Sequence, residues 1–397
     1  MLYKKGSALE GVRVLDLGNV IAGPFTTAIL ADMGASVIKV EKPQGGDNAR
    51  DNLPKKDGES TYFVNFNRSK KGVTLDLKKG KDIFFRLIER ADVVVENFRP
   101  GVMEKLGYGY EELKKINRGI IYASVSGFGQ NGPYKNRAGY DPLAQAMSGM
   151  MSVTGYPGSA PVRAGASVAD ILAAQNTAIA ILAALMYRER TGEGQYIDVS
   201  LLDSAILSLS SVNQVYLTDK NNVPQRRGNG YVAGAPGSAY KCADGYVVFL
   251  ALGEKAWLKL TEIMGRSDLQ EMEKYGTNDA RVENYLELDA EVEKWTADRT
   301  VDEVVSILNR ENLPAAPILT VDQVYRDPHV RLREMFTKIK HPKIGEVEIT
   351  NQAIKMSETC PYVRCSSPLL GEHNMEVYGE LGFSREEIGN FAEQGVL

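Results

Sequence analysis

Histidine is nearly absent from this chain, and its placement excludes more than its scarcity does. The three present, His329, His341 and His373, all fall in the last fifth of 397 residues. A histidine-based triad or an HExxH metal site in the N-terminal half is therefore excluded unless a distant segment returns to supply it. Cysteine is just as sparse. Cys242, Cys360 and Cys365 are odd in number and show no CxxC spacing, which argues against a disulfide scaffold or a zinc site. It argues instead for a reducing compartment, the cytoplasm. The start, MLYKKGSALEGVRVLDL, has no signal-peptide core and passes directly into a strand. Neither sign of charge is in excess: 47 Lys and Arg face 51 Asp and Glu, for a net −4. Nothing in that balance attracts nucleic acid or a membrane, so any anion site has to be built locally. Internal repeats and low-complexity segments are missing too.

What is present is the composition of an ordinary globular protein, 43% hydrophobic and 25% charged, with ample core for two or three domains. VRVLDL (Val12–Leu17), a helical pattern through Met33, and ASVIKVE (Ala35–Glu41) read as a βαβ unit of a parallel sheet. Further strands are expected at Gly72–Leu77, Asp92–Asn97 and Ile120–Ser126, with helices at Lys79–Arg90 and Tyr110–Asn117 between them. The alternation predicts a doubly wound, Rossmann-like α/β domain. Helices follow at Asp141–Met151, Ser167–Arg190 and Leu201–Val215, with a strand at Tyr196–Ser200. Beyond a glycine-rich stretch, RRGNGYVAGAPGSAY, a strand at Tyr246–Leu250 and several helices suggest a smaller α+β domain. The division expected is 1–205 for the large domain, 206–227 for a helical linker, 228–325 for the small domain, and 326–397 for a return linker and a segment packing on the large domain.

The chain is organised around PVRAGASVADILAAQNTAIAILAALMYRER, Pro161–Arg190. From Ile171 to Tyr187 it carries no charge and many alanines, the mark of a buried helix. That stretch is too short and too interrupted, by Gln175, Asn176 and Thr177, for a good membrane span. One carboxylate, Asp170, stands at its entrance. The structural reading is a capping box in which Ser167 caps the helix and Asp170 reaches back to its backbone N–H. The functional reading is a reactive carboxylate held at a helix mouth.

Other motifs are weaker. Gly127-Phe-Gly-Gln-Asn-Gly132 matches GxGxxG, but Pro133 follows at once and no helix opens, so dinucleotide binding is set aside. The loop Asn19–Pro24 leaves the first strand for the first helix, a position where backbone N–H groups receive anions. Lys42, Lys78 and Asn97-Phe98-Arg99 fall at further strand ends, with Lys105 one short helix later. Cations and an aromatic at strand ends suit a phosphorylated ligand carrying a flat base, although each taken alone is equally a solvated surface charge.

Five segments in order, VLDLGNVIAGPFTTAILADMGASVIKVEKP, NFRPGVMEKLG, ASVSGFGQNGPYKNRAGYDPLAQAMSG, TGEGQYIDVSLLDSA and SPLLGEHN, resemble the family III CoA-transferases. That group includes formyl-CoA, carnitine and 2-hydroxyacyl CoA-transferases and is related to the α-methylacyl-CoA racemases. The resemblance implies a Rossmann-like large domain and a small domain with CoA bound between them. It also implies a homodimer of chains threaded through each other like linked rings. It places the nucleophile on Asp170 and CoA contacts on Val20, Ile21, Ala22, Lys42, Leu75 to Lys78, Asn97, Phe98, Arg99, Lys105, Arg137 and Tyr140. Ile21, where formyl-CoA transferases carry glutamine, and the loose glycine run Gly228-Asn-Gly230…Gly234 point away from formyl-CoA:oxalate activity. Tyr140, where the racemases carry histidine, points away from racemisation, which needs a base and an acid on opposite faces of an α-carbon.

The implied substrates are an acyl-CoA and a free carboxylic acid, with coenzyme A as substrate and no metal or further cofactor. Transfer would run through an aspartyl mixed anhydride and an aspartyl-CoA thioester. Asp170 near a helix N-terminus is expected to stay ionised. The loop holding Gly228, Gly230 and Gly234 would be either a lid that excludes water or a plain connection. A racemase, or a CoA-binding protein without catalysis, is the alternative.

Overall fold

The structure is a computed structural model and describes residues 4–397. The chain forms two compact units. The larger takes residues up to Met150, then Arg163–Gln214 and His329–Leu397; the smaller takes Met151–Val162 and Val215–Pro328.

In the larger unit, β1 (Arg13–Asp16), α1 (Ala22–Asp32) and β2 (Ser36–Glu41) form the first βαβ turn of the chain. A short hairpin, β3 (Lys55–Lys56) and β4 (Glu59–Ser60), leads into α2 (Thr61–Asn67) and β5 (Lys70–Thr74). Then follow α3 (Lys81–Arg90), β6 (Val93–Glu96), α4 (Val102–Leu106), α5 (Tyr110–Ile116), β7 (Ile121–Ser126), α6 (Asp141–Met147) and, after a long helix, β8 (Tyr196–Ser200). The six central strands lie in the order β5-β2-β1-β6-β7-β8, every neighbouring pair parallel. Covered on both faces, β6 and β7 bury every residue, and so they read as near-continuous apolar runs. The chain builds outward from β1 through β2 to β5, then crosses back to β6. The carboxyl ends of β1 and β6 therefore flank a topological switch point, where open α/β sheets bind ligands.

The long helix Val168–Thr191 differs from expectation. Its alanine face is buried in two places: Ala178, Ile181 and Ala184 pack with Ile29 of α1 and Ile121 of β7, and Ala169 and Ala173 pack with Ala22 of α1 and Val125 of β7. The opposite face is open: Ile179 is 64% and Met186 67% exposed. Apolar residues all round this helix thus reflect one face in the core and a second face that the chain itself leaves uncovered. Its bounds lie within one residue of the expected Ser167–Arg190, and at 24 residues it is long and apolar enough to cross a membrane by length and composition alone. The helix expected over Leu201–Val215 is two, Leu201–Ser208 and Ser210–Thr218, interrupted at Leu209.

The smaller unit has an antiparallel sheet of β9 (Gly237–Lys241), β10 (Tyr246–Leu250) and β11 (Ala315–Pro317), in the order β11-β10-β9. Helices close over it around Trp257, Leu260, Trp295 and Leu308. Ala315–Pro317 supplies its edge strand, the position in a sheet where proline is tolerated. Residues 151–162 also belong here rather than to the large domain. Gly228 N donates to Gly155 O at 2.8 Å and Arg226 Nη1 to Ser152 O at 3.4 Å, tying that segment to the glycine-rich stretch. Back in the larger unit, β12 (Phe336–His341) and β13 (Gly345–Thr350) form a hairpin. The last helices bury Val377, Tyr378 and Ile388 in the same core as Leu15 and Val73.

Candidate active site

The loop from β1 to α1 is built for close approach. A Cβ on Gly18 would lie 2.7 Å from Pro24 Cδ and 2.9 Å from Gly23 Cα, so no side chain fits there. Val20 sits at φ +66°, a left-handed conformation that costs a β-branched residue on the order of 1–3 kcal/mol. Its surroundings hold it there. Asp47 Oδ1 accepts Val20 N–H at 3.0 Å, while the Asn97 amide accepts from Asn19 N at 2.7 Å and donates to Asn19 O at 2.9 Å. Beneath the loop, Lys39 donates to Gly18 O at 2.6 Å and pairs with Asp47 at 3.0 Å. Lys70 reaches Asp16 and Pro24 O, both at 2.8 Å. Burial pushes the Asp16 carboxyl up, but Lys39 and Lys70 outweigh it and hold the group below its ordinary range. Burial brings the Lys70 ammonium down to about 8, against the pull of Asp16. A carboxylate and two lysines, none of them accessible to water, thus fix the shape of one turn.

Two cavities open at the switch point. The first, about 200 Å³, is walled by Leu75 and Phe98, with Asn19, Lys42 and Lys78 around it. Apolar walls with two ammonium groups at the edge suit a flat base bearing phosphate. The second, about 90 Å³, is lined by Ala22, Asn97, Phe98, Arg99, Arg137 and Asp170. Phe98 belongs to both. Arg137 comes from the loop Gly127–Gly139, which is pinched at its base: a Cβ on Gly127 would lie 2.3 Å from Gly139 Cα. Gly127, the first glycine of the GxGxxG match, is thus there to let two backbones touch.

The remaining sequence-predicted residues are placed differently. Val20 and Ile21 form the backbone of the β1–α1 loop, with Ile21 buried. Lys105 opens on a third cavity of about 890 Å³, together with Tyr110, Lys135 and Tyr196. Tyr140, at the start of α6, is 66% exposed. Gly228, Gly230 and Gly234 lie in the smaller unit, Gly228 at φ +63°.

Asp170 lies in the first turn of the helix Val168–Thr191, but the capping box does not form: Ser167 caps nothing with its side chain. A carboxylate from elsewhere has taken that place. Asp141 Oδ1 accepts Ala169 N–H at 2.8 Å, and Gln145 Nε2 donates to Asp141 Oδ2 at 2.7 Å. Gln145 Oε1 in turn accepts from Ala164 N at 2.9 Å, pinning the approach to the helix. With the free N–H group served by Asp141, the Asp170 carboxyl is left to the cavity. Burial, followed by the like charge of Asp141, pushes it up to about 7. The expectation that the helix N-terminus keeps Asp170 ionised is therefore corrected: burial and the charge of Asp141 bring its titration into the neutral range. Tyr62 on α2 is pushed up to about 12, by burial first and then by Asp170, so its hydroxyl keeps its proton beside that carboxyl. Sequence reasoning missed Asp47, Asp141, Gln145 and Tyr62. The i, i+4 spacing of Asp141 and Gln145 on one helix face was the available signal for that pair; nothing local marked Tyr62 or Asp47.

Comparison with known proteins identifies the family. Residues 9–374 match the family model described as CoA-transferase family III. The chain is similar to the succinyl-CoA:mesaconate CoA-transferase of Haloarcula hispanica, with 40% identity over 94% of this chain and 96% of that one. It is 38% identical to a formyl-CoA:oxalate CoA-transferase of Streptomyces avermitilis, over 98% of this chain and 99% of the relative. Among solved structures it resembles a CAIB/BAIF family protein from Brucella suis, with a TM-score of 0.85 and 36% identity over 95% of this chain and 100% of that one.

Proposed function

The chain belongs to CoA-transferase family III, and from that premise we propose that it moves CoA from an acyl-CoA to a free dicarboxylic acid through Asp170. The observation that carries the proposal is the placement of Asp170 in a cavity whose Phe98 wall is shared with a second cavity bearing Lys42 and Lys78. CoA is long, with a phosphorylated nucleotide at one end and a thiol at the other, and adjoining cavities of this chemistry suit both ends. The dicarboxylate class is supported by the succinyl, mesaconate and oxalate groups named for the two relatives.

An Asp170 carboxylate oxygen attacks the thioester carbon, the C–S bond breaks, and CoA leaves as thiolate, giving a mixed anhydride. The thiolate then attacks the Asp170 carbonyl carbon. That step releases the first acid and leaves an aspartyl-CoA thioester. The acceptor carboxylate displaces CoA through a second anhydride, and return of the thiolate to the acceptor's carbonyl regenerates the Asp170 carboxylate. No net proton or electron is consumed. A carboxylate whose conjugate acid titrates near 7 is a better nucleophile than one near 4, while remaining substantially ionised at neutral pH. Arg99 and Arg137 in the same cavity are the cations available to the oxyanions that form.

Asp170→Ala should lower transfer from succinyl-CoA to a panel of dicarboxylates by about 10³-fold or more while leaving CoA binding intact. Hydroxylamine added with acyl-CoA should trap the aspartyl thioester in the unsubstituted enzyme. Near-normal transfer by Asp170→Ala would overturn the assignment, and deuterium exchange at the α-carbon without acceptor would redirect it to a racemase. The proposal extends to a homodimer of interlocked chains and to the cytoplasm, where Cys242, Cys360 and Cys365, all free thiols in the structure, would stay reduced.

A further inference from the structure

Buried carboxylates of the larger unit mostly meet cations. Asp16 has Lys70 at 2.8 Å, Asp32 has Arg68 at 2.9 Å, and Glu41 has Arg50 at 2.7 Å. Glu96, the last residue of β6 and 4% exposed, is surrounded differently. From β7, Ser124, its partner in the sheet register, hydrogen-bonds to it, and the Tyr122 hydroxyl near it is buried with no hydrogen-bond partner among the described residues. From β8 come Tyr196, whose hydroxyl donates to Ser124 Oγ at 3.2 Å, and Asp198; from α4 comes Glu104. The cationic side chains that follow it most closely along the chain are Arg99 and Lys105, and both line cavities.

One bond gives this residue its leverage. Glu96 Oε2 accepts the backbone N–H of Phe98 at 2.8 Å. The same turn is held on its other side by the Asn97–Asn19 pair. The carboxyl of Glu96 therefore sits at the base of the turn that supplies Phe98 to both cavities and Asn97 and Arg99 to the second.

We propose that Glu96 is a proton-dependent positioning residue for the Asn97–Phe98–Arg99 turn: in its neutral form it supports CoA binding there, and in its ionised form it opposes it. The inference rests on the CoA reading of the two cavities. Burial pushes the Glu96 carboxyl up to about 7, against the hydrogen bonds from Ser124 and Phe98, so both forms are populated under ordinary conditions. Neutral Glu96 leaves the attraction of Arg99 and Lys105 for phosphate undiminished. Ionised Glu96 fixes a negative charge under the turn, poorly screened by solvent, where it repels an anionic ligand. Linkage then sets the sign: a bound anion raises the carboxyl's affinity for its proton, so CoA binding takes up a proton near neutral pH and affinity falls as pH rises.

The test uses the whole enzyme and dephospho-CoA, which lacks the 3′-phosphate whose own ionisation, near pH ~6, would confuse the result. Binding is measured by titration calorimetry between about pH 6 and 8.5, in buffers of different ionisation heat. The expected result is a Kd that rises about threefold to tenfold across that range, with net proton uptake; by linkage, the bound ligand strengthens the carboxyl's hold on its proton by the same factor. In Glu96→Gln, which keeps the shape and the acceptor oxygen, both effects should shrink to the part that other groups such as Asp170 contribute, and binding at high pH should be tighter than in the unsubstituted enzyme. A purely structural role would change Kd equally at every pH. An unaltered pH dependence in Glu96→Gln, or no proton uptake by the unsubstituted enzyme, overturns the role of Glu96 while leaving the CoA reading standing. Failure of the unsubstituted enzyme to bind CoA or dephospho-CoA at any pH overturns both.

Discussion

Two carboxyl groups meet at the start of the helix Val168–Thr191, and they have different work. Asp141 takes the free N–H of Ala169 and the Gln145 amide, while among the described residues no hydrogen bond reaches the Asp170 carboxyl. The like charge of Asp141 adds to burial in raising Asp170 to about 7. Removing that charge while keeping the shape, in Asp141→Asn, should shift the acidic limb of the kcat/KM pH profile to lower pH. A loss of activity with an unmoved limb would assign Asp141 to helix capping alone. Asp170 itself should act against stability. Its carboxyl titrates near ~3.9 in the unfolded chain and at about 7 when folded, so the folded state binds more protons between those values. The stability it lends is fully present below about pH 4 and is lost as pH rises to 7. Above that, keeping the group ionised in place costs on the order of 1–3 kcal/mol. Asp170→Asn should accordingly raise the Tm of the ligand-free enzyme at about pH 8 and leave it nearly unchanged at about pH 4. An equal shift at both values would show that the carboxyl is not strained by its site.

At the scale of elements, the loop between β1 and α1 depends on residues far from it in sequence. Asp47 supplies an acceptor to Val20 N and an ion-pair partner to buried Lys39. Asp47→Ala leaves Lys39 with Asp16 at 3.9 Å as its remaining counter-ion and takes away the acceptor that holds Val20 N–H, so it should cost about 1–3 kcal/mol and weaken CoA binding. Urea unfolding and calorimetry read the two effects separately. Dependence of this kind also marks what was legible in the sequence. The parallel strands could be read because burial on both faces makes runs such as VVVE and ASV nearly continuous, and the strand ends pointed to Lys42, Lys78 and Asn97–Arg99, which line the two cavities. The capping box at Ser167 could not be refuted locally, because its competitor, Asp141, lies 28 residues from Ala169 along the chain. The edge strand Ala315–Pro317 was not legible because a three-residue strand ending in proline carries almost no periodic signal. Tyr62 was invisible because its short helix α2 gave no pattern linking it to Asp170.

At the scale of the whole molecule, the uncovered apolar surface is what a single chain leaves unexplained. Ile179 and Met186 on the long helix stand open, and Leu207 on the following helix is 63% exposed. Ile179 also walls an apolar groove of about 580 Å³, together with Phe25, Phe66, Leu182 and Ile354. Exposed apolar surface of this extent on a folded chain marks a surface that something else covers. The interlocked homodimer proposed above supplies a second copy, whereas a membrane would have to accept Asp170 at one end of the helix and Arg188 and Arg190 at the other. Light scattering should give twice the 43.6 kDa of one chain without detergent. Ile179→Lys combined with Met186→Lys should move the mass toward that of a single chain. Interlocking makes a sharper demand than dimerisation does, because threaded chains cannot separate without opening one of them. Tagged and untagged dimers mixed at moderate temperature should then form no mixed species for days, yet form them readily after refolding from denaturant. Exchange within minutes would leave a dimer but remove the linked rings, and a monomeric mass for the unsubstituted chain would remove both.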